Sequence, residues 1–246
     1  MTAEDKPVPP IELQRSFWNA WNTSTREKVV GDVSLRQQEV LLGWLRDLGR
    51  KDLKIIDFGC GAGWLCERLQ AFGTVTGVDL ADDVLVRARE RMPAVTFIAG
   101  DIMSLDLGVE QFDVVVTLEV LSHIPDQPAF IERLSRLLRP GGLLILATQN
   151  RPILKRNESV KPAQPGQLRH WVDSHELRKL VSPRFRIKSL RSLTPMGHQG
   201  FLKLVNAYRL TAILDGVFGP RRVAAVKEWL GLGWTLMVLA QKPAKV

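Results

Sequence analysis

The residues of this chain best placed to do chemistry lie between positions 57 and 79. An apolar run, Leu53-Lys-Ile-Ile, ends in Asp57. Glycines follow at 59, 61 and 63, and then a helix-like segment from Trp64 to Gln70. The pattern predicts a strand, a glycine-rich turn and a helix start. Glycine tolerates positive φ and has no side chain, so a ligand can lie against the main chain. Free N–H groups at a helix start favour a polar or anionic group there. A second apolar run, Thr74-Val-Thr-Gly-Val, ends in Asp79. A carboxylate at the tip of a second strand can accept both hydroxyls of a ribose. A dinucleotide fingerprint would need Gly where Trp64 stands, and a phosphate loop would need Gly-Lys-Ser/Thr, which is absent. The expected ligand carries an adenosine-type ribose without a pyrophosphate.

The elements that must position these residues follow from periodicity. Apolar runs at 53–57, 74–79, 95–99, 112–117 and 142–148 read as strands, alternating with helical segments near 63–71, 82–91 and 127–138. Such alternation implies an α/β fold with a doubly wound, mostly parallel sheet and a ligand at the carboxyl ends of its strands. Arg139-Pro-Gly-Gly142 is expected to end the helix before the fifth strand. Upstream, Leu35, Val40, Leu41, Trp44, Leu45 and Leu48 recur at helical spacing over 34–49. The aromatic cluster Phe17-Trp18-Asn-Ala-Trp21 packs on the sheet or covers the ligand. Residues 1–10, with three prolines, are expected to be loose. Residues 201–218 read as an amphipathic helix, and Trp234 to Leu239 as a late strand.

At 246 residues, 45% hydrophobic and 24% charged, the chain suits one globular domain, with an N-terminal helical segment over 1–34, a core over 35–150 and a further segment over 151–246. No apolar stretch is long enough to span a bilayer, and the polar start Met1-Thr-Ala-Glu-Asp-Lys is not a secretory leader, so a cytoplasmic location is expected. Cys60 and Cys66 have neither redox nor zinc spacing and read as small reduced side chains. The charge is lopsided. Residues 151–203 carry 12 Lys and Arg against 3 Asp and Glu, a net +9, while the rest carry 22 against 23. That concentration favours an acidic small molecule or a lipid precursor as partner, and it is compatible with peripheral contact with a lipid surface. Lacking regular aromatic interleaving or an RNA-binding motif, it argues against nucleic acid.

Taken in order, Asp57-Phe-Gly-Cys-Gly-Ala-Gly63, Gly77-Val-Asp-Leu80, Gly100-Asp-Ile102, Phe112-Asp-Val-Val-Val116 and Leu138-Arg-Pro-Gly-Gly142 resemble the motifs of class I S-adenosylmethionine-dependent methyltransferases. The resemblance covers roughly residues 35–190. It implies a Rossmann-like seven-stranded sheet whose last strand is antiparallel, with N-terminal helices and a helical insertion before that strand. S-adenosylmethionine is the implied cofactor. By the same resemblance Gly59, Cys60, Gly61 and Gly63 hold its methionyl part, and Asp57 orients the loop or meets the amino group. Asp79, with Leu80, takes the ribose, Asp101 and Ile102 meet the adenine, and Leu118 lines the pocket. The nearest resemblance is to the ubiquinone-biosynthesis O-methyltransferases, through Leu118-Glu-Val-Leu-Ser-His-Ile-Pro-Asp126 and Ala147-Thr-Gln-Asn-Arg151. It places Arg36 near the cofactor carboxylate.

Methyl transfer to oxygen calls for a base. Of the histidines at 123, 170, 175 and 198, His123 and His170 are the candidates, and His175 reads as a residue of a helix's first turn. The chain departs from its subgroup at Ser122, where a Glu would stand. That removes an anionic oxygen ligand, so no metal is expected at Glu119 and His123. The expected reaction is O-methylation of a small acidic or lipid-like acceptor. The alternatives are an RNA methyltransferase and a non-catalytic module that binds S-adenosylmethionine.

Overall fold

The computed structural model describes residues 8–157, 160–195, 216 and 219–244. The chain opens with α1 (Ile11–Trp21), which runs into a π-helical turn, Asn22–Arg26, and then α2 (Asp32–Asp47). After these come β1 (Leu53–Phe58), the short α3 (Cys66–Leu69), β2 (Gly73–Asp79), α4 (Asp82–Arg91), β3 (Thr96–Ala99) and β4 (Phe112–Leu118). Then follow α5 (Gln127–Leu137), β5 (Leu138–Gln149), α6 (Arg151–Leu154), α7 (Ser174–Val181), β6 (Arg186–Pro195), α8 (Pro220–Trp229) and β7 (Gly233–Gln241). The strands form one seven-stranded sheet in the order β3-β2-β1-β4-β5-β7-β6. Strands β1 to β5 pair in parallel, and β7 runs antiparallel to both of its neighbours. The order reverses between β1 and β4, and a crevice opens at such a switch point.

Burial on both sides explains the near-continuous apolar strands. Ile55, Val114 and Val116 face one layer, against Leu41 and Leu45 of α2, Leu65, and Leu85 of α4. Ile56, Phe58, Val115 and Leu144 face the other, against Phe130, Ile131 and Leu134 of α5 and Leu177 of α7. The helices start where their sequences direct. Asp126 caps α5 by accepting from the Ala129 N–H, and Asp173 and Glu176 form a capping box on α7. Asp82 and Asp83 open α4 while Arg89 and Arg91 close it, matching the helix dipole.

Three expectations need correction. The helix expected near 63–71 is α-helical only over Cys66–Leu69, because the glycine turn consumes its first residues and a 3-10 turn, Gln70–Phe72, closes it. Arg139–Gly142 does not end α5 but lies inside β5, which pairs Leu138 with Phe112, slips register, and resumes at Leu143 opposite Val114. Leu35 and Leu48 are exposed at 49% and 37%, so the buried face of α2 is narrower than its apolar pattern. Strand β6 has no counterpart in the sequence reading; it is a polar edge strand held by β7 alone. Residues 201–215, 217 and 218 of the expected amphipathic helix, and His198, lie outside the described residues; the helix described before the last strand is α8.

Phe130 is fully buried, so Phe130→Ala should cost about 3–5 kcal/mol in urea unfolding, whereas exposed Leu35→Ala should stay within about 0.5 kcal/mol.

Candidate active site

A cavity of about 560 Å³ opens at the switch point. Its floor comes from the carboxyl ends of four parallel strands and the residues just beyond: Asp57, Gly59, Cys60 and Gly61 at β1, Asp79 and Leu80 at β2, Asp101 and Ile102 at β3, and Leu118 and Glu119 at β4. Trp18, Trp21, Asn22 and Arg26 of the N-terminal helix cover it. His123, Gln149, Leu154, Arg169, Trp171 and Trp234 line the far wall.

The Asp79 carboxylate organises the floor. One oxygen accepts from the Gly61 N–H at 2.7 Å and the other from the Ala81 N–H at 2.8 Å. Burial pushes its pKa up, against those two bonds. The loop's other donors are also spent inside the protein. Gly59 and Cys60 donate to Val78 O at 2.7 and 3.1 Å, and Gly63 donates to Cys60 O at 2.9 Å. The loop therefore keeps no spare donor at 59, 60, 61 or 63. Gly59 and Gly61 both have positive φ, at 74° and 53°. A Cβ on Gly59 would meet Val120 Cγ2 at 2.2 Å, and one on Gly61 would meet Asn22 Oδ1 at 2.7 Å. That Asn22 oxygen is buried without a hydrogen-bond partner among the described residues.

Acid groups dominate the cavity floor. Burial pushes Asp57 up to about 7, the nearby Asp79 charge adds to the shift, and the Cys66 thiol, at 3.5 Å, opposes it. Glu119, at φ 63°, is likewise pushed up by burial, while one of its oxygens accepts from Gln37 Nε2 at 2.5 Å and Thr235 Oγ1 at 2.7 Å. Facing them, the Arg26 guanidinium lies 5.4 Å from both the Trp21 and Trp64 rings and donates to Ser34 Oγ at 2.7 Å. Three carboxyl groups held above their ordinary range and one desolvated guanidinium line the same cavity.

Most residues expected from the sequence meet here, and three do not. Gly63 packs against Met92 and Phe97 behind the loop. Arg36 lies on the far side of α2, paired with Glu228 at 2.8 Å and Glu39 at 2.6 Å. Arg26, and not Arg36, lines the cavity. The π-helical turn that brings it there leaves no periodic mark in the sequence, although its platform, Trp21, does. His170 is the third. Its N–H donates to Ser122 O at 2.7 Å and its C=O accepts from Gln127 Nε2 at 2.8 Å, so it braces the wall through its main chain.

His123 is in the cavity, its ring edge-on to Trp18 at 4.6 Å. Its Nδ1 lies 2.6 Å from Leu168 O, and a carbonyl accepts, so Nδ1 carries the proton and Nε2 has a free lone pair. Burial, opposed by that bond and aided by the Arg169 charge, lowers its pKa to about 4. Ser122 Oγ is buried without a hydrogen-bond partner among the described residues. Among the described residues no group of three or more His, Cys, Asp and Glu is placed to hold a metal.

Comparison with known proteins fits this geometry. Residues 56–146 match the family described as "Methyltransferase domain". Over those 91 of its 246 residues the chain is similar to a methyltransferase domain. It is similar to a ubiquinone biosynthesis O-methyltransferase of Bartonella tribocorum, 31% identical over 140 residues. That match spans 54% of this chain and 56% of the relative, so the chain covers just over half of the relative's length. In fold it resembles the N-methyltransferase NodS of Bradyrhizobium japonicum WM9, solved with S-adenosyl-L-homocysteine, at TM-score 0.65 and 14% identity, covering 94% of this chain and 99% of that one. It also resembles the [4+2]-cyclase SpnF, at TM-score 0.64 and 18% identity, covering 97% and 98%. S-adenosylmethionine is the cofactor of this domain family. The site fits it: a sulfonium and an amino group suit the acidic floor, and a carboxylate suits Arg26. No helix among the described residues is long and apolar enough to cross a membrane.

Asp57 offers a test of the acidic floor without ligand. An unfolded aspartate titrates near 3.8 and the folded one near 7. The stability contributed by its protonated form is therefore complete below about 3.8 and is lost as pH rises through 7. Asp57→Asn should raise the melting temperature of the ligand-free protein at pH 8, by up to about 4 kcal/mol of stability, and not at pH 4. Equal effects at both pH values would contradict the assignment.

Proposed function

We propose that the protein transfers the methyl group of S-adenosylmethionine to an acidified hydroxyl of a small acceptor. The carrying observation is that His123, whose Nδ1 is committed to Leu168 O at 2.6 Å, lines the same cavity as Asp79. On this reading Asp79 takes the ribose hydroxyls, and Asp57 with the Gly59–Gly61 loop meets the methionyl amino group. Arg26 pairs with the carboxylate, Asp101 and Ile102 meet the adenine, and Leu118 lines the pocket. The bound cofactor supplies an electrophilic methyl group whose departure leaves a neutral thioether. The protein's own part is to align the acceptor oxygen, exclude water and remove one proton.

His123 is the base. Its Nδ1–H bond to Leu168 O fixes the ring, so the proton leaving the acceptor goes to Nε2 as the new O–C bond forms. An imidazole with a pKa near 4 is a weak base. It suits a phenol or an enol, whose proton is several units more acidic than that of an alkyl alcohol. The curated relatives named as O-methyltransferases support the same reading. The Trp18 ring against His123 and the cover formed by α1 give the water exclusion.

Two outcomes are expected. In calorimetry Asp79→Ala and Arg26→Ala should each weaken S-adenosylmethionine binding by about 1–3 kcal/mol, the scale of a charge-assisted hydrogen bond, whereas Arg36→Ala should leave it unchanged. In single-turnover assays His123→Ala should slow methyl transfer by about 10²–10⁴-fold at unchanged cofactor affinity, and His170→Ala should not. The acid limb of kcat should fall near pH 4, where His123 gains its second proton, rather than near 6.5. Full turnover by His123→Ala would leave positioning alone as the catalytic device.

A further inference from the structure

The excess positive charge of residues 151–203 does not reach the cavity evenly. Arg151 is tied to Asp173 at 2.6 Å and Glu176 at 2.7 Å. Arg184 pairs with Glu132, and Arg191 lies over the Trp44 ring on another face. Arg169 is the cation of this segment that lines the cavity among the described residues. Its guanidinium lies 5.7 Å from the Trp171 ring. Its hydrogen bonds go to neutral oxygens: Nε and Nη2 to Gln167 Oε1 at 3.0 and 2.6 Å, and Nη1 to Lys161 O at 2.6 Å. No carboxylate lies within ion-pair distance of it among the described residues. Burial lowers its pKa, with no opposing anion.

A partly desolvated guanidinium held open by an amide oxygen is poised for an anion. Exchanging the neutral Gln167 oxygen for a carboxylate would convert ordinary hydrogen bonds into charge-assisted ones, which are roughly twice as strong. Two of its five N–H donors are spent on no described oxygen, and the fork geometry suits a carboxylate. Around it the wall is apolar and flat: Trp171, Trp234, Leu154 and Val160. The field of Arg169 reaches His123, so an anion bound there would sit close to the reacting hydroxyl.

We propose that the acceptor is a carboxylate-bearing aromatic or enolic compound, its anionic group bound by Arg169 and its apolar body laid against Trp171 and Trp234. This rests on the methyl-transfer reading and narrows it. Arg169 then acts as a specificity determinant: it selects the acid over its neutral ester. Arg151, already neutralised by two carboxylates, contributes to folding instead.

The test compares 3,4-dihydroxybenzoate with its methyl ester by calorimetry on protein saturated with S-adenosylhomocysteine. The acid is expected to bind the native protein about 10-fold or more tighter than the ester, with an advantage that shrinks as salt rises. Arg169→Gln should erase the difference while keeping affinity for S-adenosylhomocysteine, which reports an intact fold. Arg169→Lys should retain part of it, keeping the charge and losing the fork. Equal binding of acid and ester, binding of neither, or a preference that survives Arg169→Gln would overturn the proposal. Titration of S-adenosylhomocysteine into the ligand-free protein tests the methyl-transfer reading separately. If it fails to bind, that reading falls, and the acid–ester comparison on ligand-free protein still decides the role of Arg169.

Discussion

The site depends on one buried carboxylate that joins two loops. Asp79 ends β2, yet one of its oxygens holds Gly61 of the loop after β1 and the other holds Ala81 at the approach to α4. Without that bridge the glycine loop has no reason to curl back. The buried N–H groups of Gly61 and Ala81 would each lack a partner, at roughly 1–3 kcal/mol apiece. Once the bridge is made, Gly61 comes so close to Asn22 that no side chain fits between them. The position of Asn22, and through it the π-helical turn carrying Arg26, follows from the loop. The ordering runs from one carboxylate outward to floor and then cover.

The electrostatics of the cavity reflect the same economy. Asp57, Asp79 and Glu119 are crowded into a space that disfavours their ionised forms. Their hydrogen-bond partners are uncharged: a thiol, backbone N–H groups, an amide and a hydroxyl hold them in place. Such an arrangement stores unfavourable desolvation that a cationic ligand can relieve. In the cover Arg26, and in the far wall Arg169, are also buried enough to be desolvated, each resting on tryptophan. Among the described residues neither forms an ion pair with the acid floor.

Much of this was legible in the amino-acid sequence, for a physical reason. Strands β1 to β5 are buried on both faces, and their continuous apolar runs stand out. The glycines at 59 and 61 and the aspartates at strand ends occupy positions where backbone geometry leaves few alternatives. The failures share the opposite character. Strand β6 is an edge strand with alternating polar residues, and only pairing with β7 makes it a strand. Arg36 and Arg26 cannot be told apart by type; which one reaches the cavity depends on a π-helical turn and on Glu228, 192 residues away from Arg36 in the chain. His170 had a motif-like setting, but its main chain, not its ring, does the bracing.

Glu119 receives its two hydrogen bonds from Gln37 of α2 and Thr235 of β7, which are 82 and 116 residues away along the chain. The methyltransferase-family match, residues 56–146, contains neither donor, nor Arg26, nor Arg169. As the chain leaves the ribosome, the glycine turn and its aspartates are complete long before the last strand exists. Until β7 inserts antiparallel between β5 and β6, a buried carboxylate at the end of β4 has no partner from that side. Closure of so long a loop is entropically slow, and folding rates fall as contacts become less local. The recognisable core is therefore the early part of the molecule, and a finished active site waits for its final strand.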